Sequence, residues 1–144
     1  SKDGNQTVSH DTETTLTGFR VYEQKNTGFS VNDAVLSSPN GEWTCPADGL
    51  YRIDVEVTFY QPQQHLHRTS LYIYVNNTYA KIATMNVIGQ SGDDFQERDT
   101  SCSIIRDMSV NDTVKFRVVA NSHGSQSTLI LNTLYTDVKI VRVG

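Results

Sequence analysis

The chain has 144 residues, of which 19% are charged, and a formal net charge of −4. A single domain of this length can bury a hydrophobic core without disulfide or metal staples. The mild acidity and the lack of any basic cluster exclude a phosphate-tracking nucleic-acid binder, and the longest apolar run, LYIYV (71–75), is too short for a membrane span or a secretory leader.

Residues 1–16, SKDGNQTVSHDTETTL, hold only Val8 and Leu16 as apolar residues, which predicts a flexible polar lead-in or the end of a stalk. From Thr17 onward short β-prone runs alternate with turn residues, so one head domain is expected over 17–144. TGFRVYEQ (17–24) is the first predicted strand, and TGFSV with DAVLSS follows it. Asn40-Gly41 marks a tight turn that requires φ > 0, and EWTC leads into the clearest element of the chain.

In GLYRIDVEVTFY, Tyr51, Ile53, Val55, Val57 and Phe59 share one parity, while Arg52, Asp54, Glu56 and Thr58 share the other. A helix of period 3.6 would scatter these charges, whereas a strand of period two sorts them onto one face. Pro46 and Asp48-Gly49 supply the turn before it. Beyond the loop QPQQHLH come RTSLYIYVNN, YAKIATMNVIG, the acidic loop QSGDDFQERD and SCSIIRDM. TVKFRVVA alternates again, NSHGSQS is polar, and TLILNTLYTDVKIVRVG closes the chain with a parity change that predicts a bulge near 139–141. Eight to ten strands without crossover helices predict an all-β antiparallel sandwich or barrel. Cys45 and Cys102 are either one disulfide or two small buried side chains.

The order of several short motifs resembles the complement globular-head and tumour-necrosis-factor-like jelly rolls. They are Gly41, Trp43, Cys45, Pro46, Gly49 and Tyr51 before the central strand, LYIYVNN, the turn Asn111-Asp112-Thr113-Val114, and the opening TGFRVY. The likeness spans about residues 17–143 and departs from the family pattern at Asn77 and Asn111, where glycine is usual. It implies two stacked sheets of about ten strands, a homotrimer, and binding without catalysis. Such heads suit a virion surface or an extracellular setting. A viral or phage fibre head is the leading expectation, with a secreted animal complement-like or cytokine-like ligand and a capsid-building subunit as alternatives.

The predicted recognition surface is the set of polar loops, with Gln63, Gln64, His65 and His67 in the first, Asp93, Asp94, Gln96 and Glu97 in the second, and Ser122 and His123 in the third. Their chemistry suits wet, hydrogen-bonded contact with a host-cell surface protein or a glycan. His65 and His67 could ligate a metal, but the exposed-loop reading is preferred. Asp93, Asp94, Glu97 and Asp99 offer hard oxygens to calcium without the spacing of a dedicated loop, so no cofactor is expected. GQSGD (89–93) lacks the strand–turn–helix context of a nucleophile elbow, and no enzyme is expected. Tyr72 and Tyr74, opposite in parity to Leu71, Ile73 and Val75, would face outward and are predicted at a subunit contact, with a covering layer from elsewhere in the chain as the alternative. Asn5, Asn76 and Asn111 begin Asn-x-Thr triplets that could accept glycans in a secretory pathway.

Overall fold

The computed structural model describes residues 4–27, 30–38, 40–61, 66–86, 97–122, 127–130 and 136–144. Twelve strands lie among them and no helix: β1 (Gln6–Val8), β2 (Thr14–Thr15), β3 (Phe19–Thr27), β4 (Ser30–Ser38), β5 (Glu42–Thr44), β6 (Gly49–Tyr60), β7 (Leu66–Val75), β8 (Thr78–Asn86), β9 (Glu97–Met108), β10 (Thr113–Ser122), β11 (Thr128–Ile130) and β12 (Asp137–Arg142). They form a seven-stranded sheet in the order β1-β11-β6-β12-β3-β4, with β9 along β6, and a five-stranded sheet in the order β2-β10-β7-β8, with β5 also on β10. The pairings are antiparallel, apart from β12 against β3.

The expected inward set of β6 is the core: Tyr51, Ile53, Val55, Val57 and Phe59 are all buried, as are Val114, Phe116 and Val118 of β10 and Leu71, Ile73 and Val75 of β7. Two aromatic pairs join the sheets edge to face. Phe19 meets Phe116 at a centroid distance of 5.6 Å, and Trp43 meets Tyr51 at 5.7 Å. The buried hydroxyls of Thr69 and Thr100 lie 2.8 Å apart, joining β7 to β9. Thr58 departs from its parity and is buried, because its hydroxyl donates to Asp99 (2.5 Å) and its N–H reaches the Thr136 hydroxyl (3.3 Å).

The face assignment yields a first prediction. Val55→Ala should cost about 1–3 kcal/mol through lost burial and a cavity, whereas Glu56→Ala, on the exposed side, should leave stability within about 0.5 kcal/mol. Equal shifts of the two urea midpoints would refute the assignment.

The structure corrects two expectations. Part of the segment 1–16 belongs to the sandwich: β1 pairs with β11, β2 pairs with β10, and Val8 and Leu16 are fully buried. The Gln6 side chain ties the two pieces together, donating to the Thr15 carbonyl (2.7 Å) and accepting from the Thr17 N–H (3.0 Å). The expected bulge at 139–141 is absent, since β12 keeps a continuous register on β6 from Asp137↔Glu56 to Arg142↔Tyr51. The parity change there is only Val141 and Val143 on the solvent side. Register shifts occur instead between Asn121 and Ser122 and between Ile73 and Tyr74. Gly49 takes a positive φ of 159°, as expected of the turn, and it also permits close approach, because a Cβ there would strike Arg142 and the Gly144 carbonyl. Cys45 and Cys102 are both free and buried, which resolves the open choice between bridge and thiols.

Candidate recognition surface

The two ends of the sandwich differ in construction. At one end the connections are short and saturated with hydrogen bonds. Asn76 and Asn77, at φ of 49° and 62°, form the two-residue link between Val75 and its partner Thr78, and Asn111 turns at φ of 71°. Asparagine tolerates this left-handed region better than other residues with a Cβ, so it replaces glycine at both turns. The Asn76 amide donates to Asp112 (2.8 Å) while its oxygen accepts from the Thr113 N–H (2.9 Å). Asp112 also accepts from the Ser109 N–H (2.8 Å), and Asp48 accepts from the Val110 N–H (2.7 Å). The Asn76 amide and the Ser109 N–H, in that order, hold the Asp112 carboxyl below the usual range.

The other end is where the three predicted loops leave the strands. Tyr60 pairs with Glu97, Leu66 with Ser122 and Arg68 with Asn86, so the strand ends flanking 61–65, 87–96 and 123–127 converge there. Gln61 is buried and its amide donates to the Ser127 carbonyl, tying the flank of the first loop to that of the third. Of the predicted recognition residues, Gln63, Gln64, His65, Asp93, Asp94, Gln96 and His123 lie outside the described residues, as does GQSGD. His67 is exposed beside the register shift. Glu97 opens β9, and Asp99 accepts from Thr58. Ser122 is the exception. It is buried, and its N–H donates to His10 Nδ1 (3.3 Å), so it supports the loop instead of presenting itself. Among the described residues no cluster of three or more His, Cys, Asp or Glu side chains could hold a metal.

Residues 9–13 reach the same end, which their assignment to a lead-in concealed. Asp11, at φ of 51°, donates its N–H to the Ala120 carbonyl (3.0 Å). Its carboxylate accepts from the Asn121 amide (2.8 Å) and faces Arg68 (3.5 Å) and His10 (3.4 Å).

Tyr72 and Tyr74 lie on the outer face of the five-stranded sheet, as their parity predicts, but they have partners within the chain. The Tyr74 hydroxyl donates to Glu13 (2.7 Å), and the Arg117 guanidinium sits 4.7 Å from the centre of its ring. Arg117 in turn pairs with Glu13 at 3.2 Å. Tyr72 and Tyr79 flank Tyr74 at centroid distances of 6.3 and 6.2 Å. The covering layer is therefore partly the segment carrying Glu13, and these tyrosines do not by themselves require a second subunit.

The hydrogen bond to Glu13, followed by partial burial, holds the Tyr74 phenol above the ordinary tyrosine range. A raised phenol pKa adds stability that is complete below the unfolded value, about 10, and lost as pH rises through the folded value. One of the seven tyrosines should therefore ionise late in a tyrosinate absorbance titration, and Glu13→Gln should bring it back toward the others. An unchanged titration curve would remove the hydrogen bond.

The outer face of the seven-stranded sheet carries an open depression of about 260 Å³. It is lined by Asp54, Glu56, Ser101, Ser103, Asp137 and Lys139, among others. Asp54 is engaged there by Arg52 (3.0 Å) and by the Ser103 hydroxyl.

No family model and no curated protein matches the sequence. The three-dimensional comparison decides the architecture: the Eiger TNF structure from S. frugiperda superposes with a TM-score of 0.63, covering 98% of this chain and 86% of that one at 10% identity. The fold is a TNF-like jelly roll. At 10% identity the likeness concerns the fold alone. Within it, Trp43 and Tyr51, which flank the turn before the central strand, form one of the aromatic bridges between the sheets. Among the described residues no helix is long and apolar enough to cross a membrane.

Proposed function

We propose that this chain is a non-enzymatic, homotrimeric recognition head that engages a surface protein or glycan through the loops at one end. The observation that carries the reading is the asymmetry of the two ends. Tight turns saturated with hydrogen bonds close one end, while the flanks of all three long polar connections meet at the other. Loops set on a rigid sandwich are free to vary and to touch partners, whereas the strands are bound to the core. Trimerisation adds about 10² to 10⁴ in avidity when the target is itself multivalent. The trimer is supported by the TNF-like fold, and Tyr72 and Tyr74 are withdrawn from its support because they have partners of their own.

The setting we favour is the tip or surface of a viral or phage fibre, given the polar, weakly charged surface. The likeness to Eiger TNF favours a second setting, an extracellular cytokine-like ligand, with the same binding logic. Sedimentation should show three chains. The head should bind host cells, and replacing 62–65 and 123–126 with Gly-Ser linkers should abolish binding while preserving the melting temperature. A stable monomer, or binding that survives both replacements, would overturn the reading.

A further inference from the structure

We propose that the outer face of the five-stranded sheet around Tyr72, Tyr74 and Tyr79 docks a neutral oligosaccharide, at a site separate from the end loops. The proposal rests on the reading of the chain as a binding head, but not on which loops bind. Tyr79 is 64% exposed, and the three rings lie within about 6 Å of their neighbours in a bent row. Clustered exposed aromatics on a soluble domain mark a contact surface.

Charge selects the occupant. The described cations of this face are already paired, Arg117 with Glu13 and Lys115 with Glu42, each at 3.2 Å, and Arg68 with Asp11 at 3.5 Å. Lys115 also donates to the Asn77 oxygen (3.0 Å). A charged peptide or sulfated chain covering the face would bury charge without a partner, which is unfavourable. A neutral sugar brings no such penalty. Its C–H faces carry partial positive charge and suit the negative face of an aromatic ring. Its hydroxyls can meet the phenols of Tyr72 and Tyr79 and the NH2 group of Asn77, whose oxygen is taken by Lys115.

Size points the same way. Three tyrosines expose at most about 450–750 Å² even when fully free, and Tyr72 and Tyr74 are already half-covered. A standard protein interface needs about 800 Å² from each partner. The patch is too small for a second copy alone and sufficient for a few sugar rings. Its central ring is also held in advance, by the Glu13 hydrogen bond and the stacked Arg117, so little ordering entropy opposes binding.

The test uses the whole chain against an array of neutral oligosaccharides, followed by calorimetric titration of the best hit. Tyr79→Ala should weaken that hit at least tenfold with melting temperature and sedimentation unchanged, while Lys139→Ala, on the opposite sheet, should leave it intact. Binding indifferent to Tyr79→Ala, recognition only of anionic glycans, or no hit at all would overturn the proposal. A Tyr79→Ala variant that changes the number of associated chains would reassign the face to a subunit contact. Cell binding lost on loop replacement while the sugar is still bound would leave both sites standing. Sugar binding without any cell binding would overturn the loop reading alone.

Discussion

Phe116→Ala is expected to lower the unfolding free energy by about 3–5 kcal/mol. Phe116 is fully buried in the middle of β10, at the register position opposite Ile73. Its ring meets Phe19 of the other sheet at 5.6 Å and 70°. Truncation removes both the buried ring and the edge-to-face pair, the latter worth about 0.5–1.5 kcal/mol beyond area burial. β10 cannot collapse into the space, because β7 holds it on one side and β2 and β5 on the other. For a domain whose whole stability is about 5–15 kcal/mol, the loss is a large fraction. Urea unfolding should show a lower midpoint at an unchanged slope. A loss under about 1 kcal/mol would mean that the two sheets are not joined through this ring.

Gly41→Val is expected to cost about 3 kcal/mol or more, from two separable causes. The first is conformational: φ at Gly41 is +79°, and the left-handed region costs a residue with a Cβ about 1–2 kcal/mol. The second is steric. A Cβ at Gly41 would fall well inside contact distance of the Leu16 carbonyl oxygen and close to a Thr15 methyl group. Backbone must move to relieve it, and that backbone is anchored, since the Leu16 N–H donates to the Phe116 carbonyl (2.8 Å). Gly4 provides the control: its φ is +71°, and a Cβ there meets nothing within 4 Å. Gly4→Val should show only the conformational part. Equal thermal shifts for the two variants would remove the steric cause.

The two substitutions show why different parts of the chain were legible to different degrees. The inward set of β6 was legible because strand period is local: alternate side chains face opposite ways whatever the strand later pairs with. The turns at Asn40-Gly41 and Asn111-Asp112 were legible because φ > 0 is a single-residue preference. The position of Gly41 against Leu16 was not, because it depends on β2 packing beside β5 on the same strand. The pairing of segment 1–16 is not legible in the sequence for a related reason. Its strands are three and two residues long, and only Val8 and Leu16, the latter just past β2, are buried there, too few positions for periodicity to register.

At the candidate sites the division is the same. Sequence could place polar loops and two outward tyrosines, because polarity and parity are properties of short segments. It missed Glu13, Arg117 and Tyr79 as a unit with Tyr74, and assigned Ser122 to the surface. Glu13 and Arg117 stand 104 residues apart, and the hydrogen bond from Ser122 to His10 spans 112. What the amino-acid order determined by itself is the all-β class, the inward face of the main strands and the asparagine turns, since each arises from the stereochemistry of neighbouring residues. Which loops share an end, which segment covers the tyrosines and whether the two cysteines meet were decided only by strand pairing across the chain, where the energy comes from contacts that no local window contains.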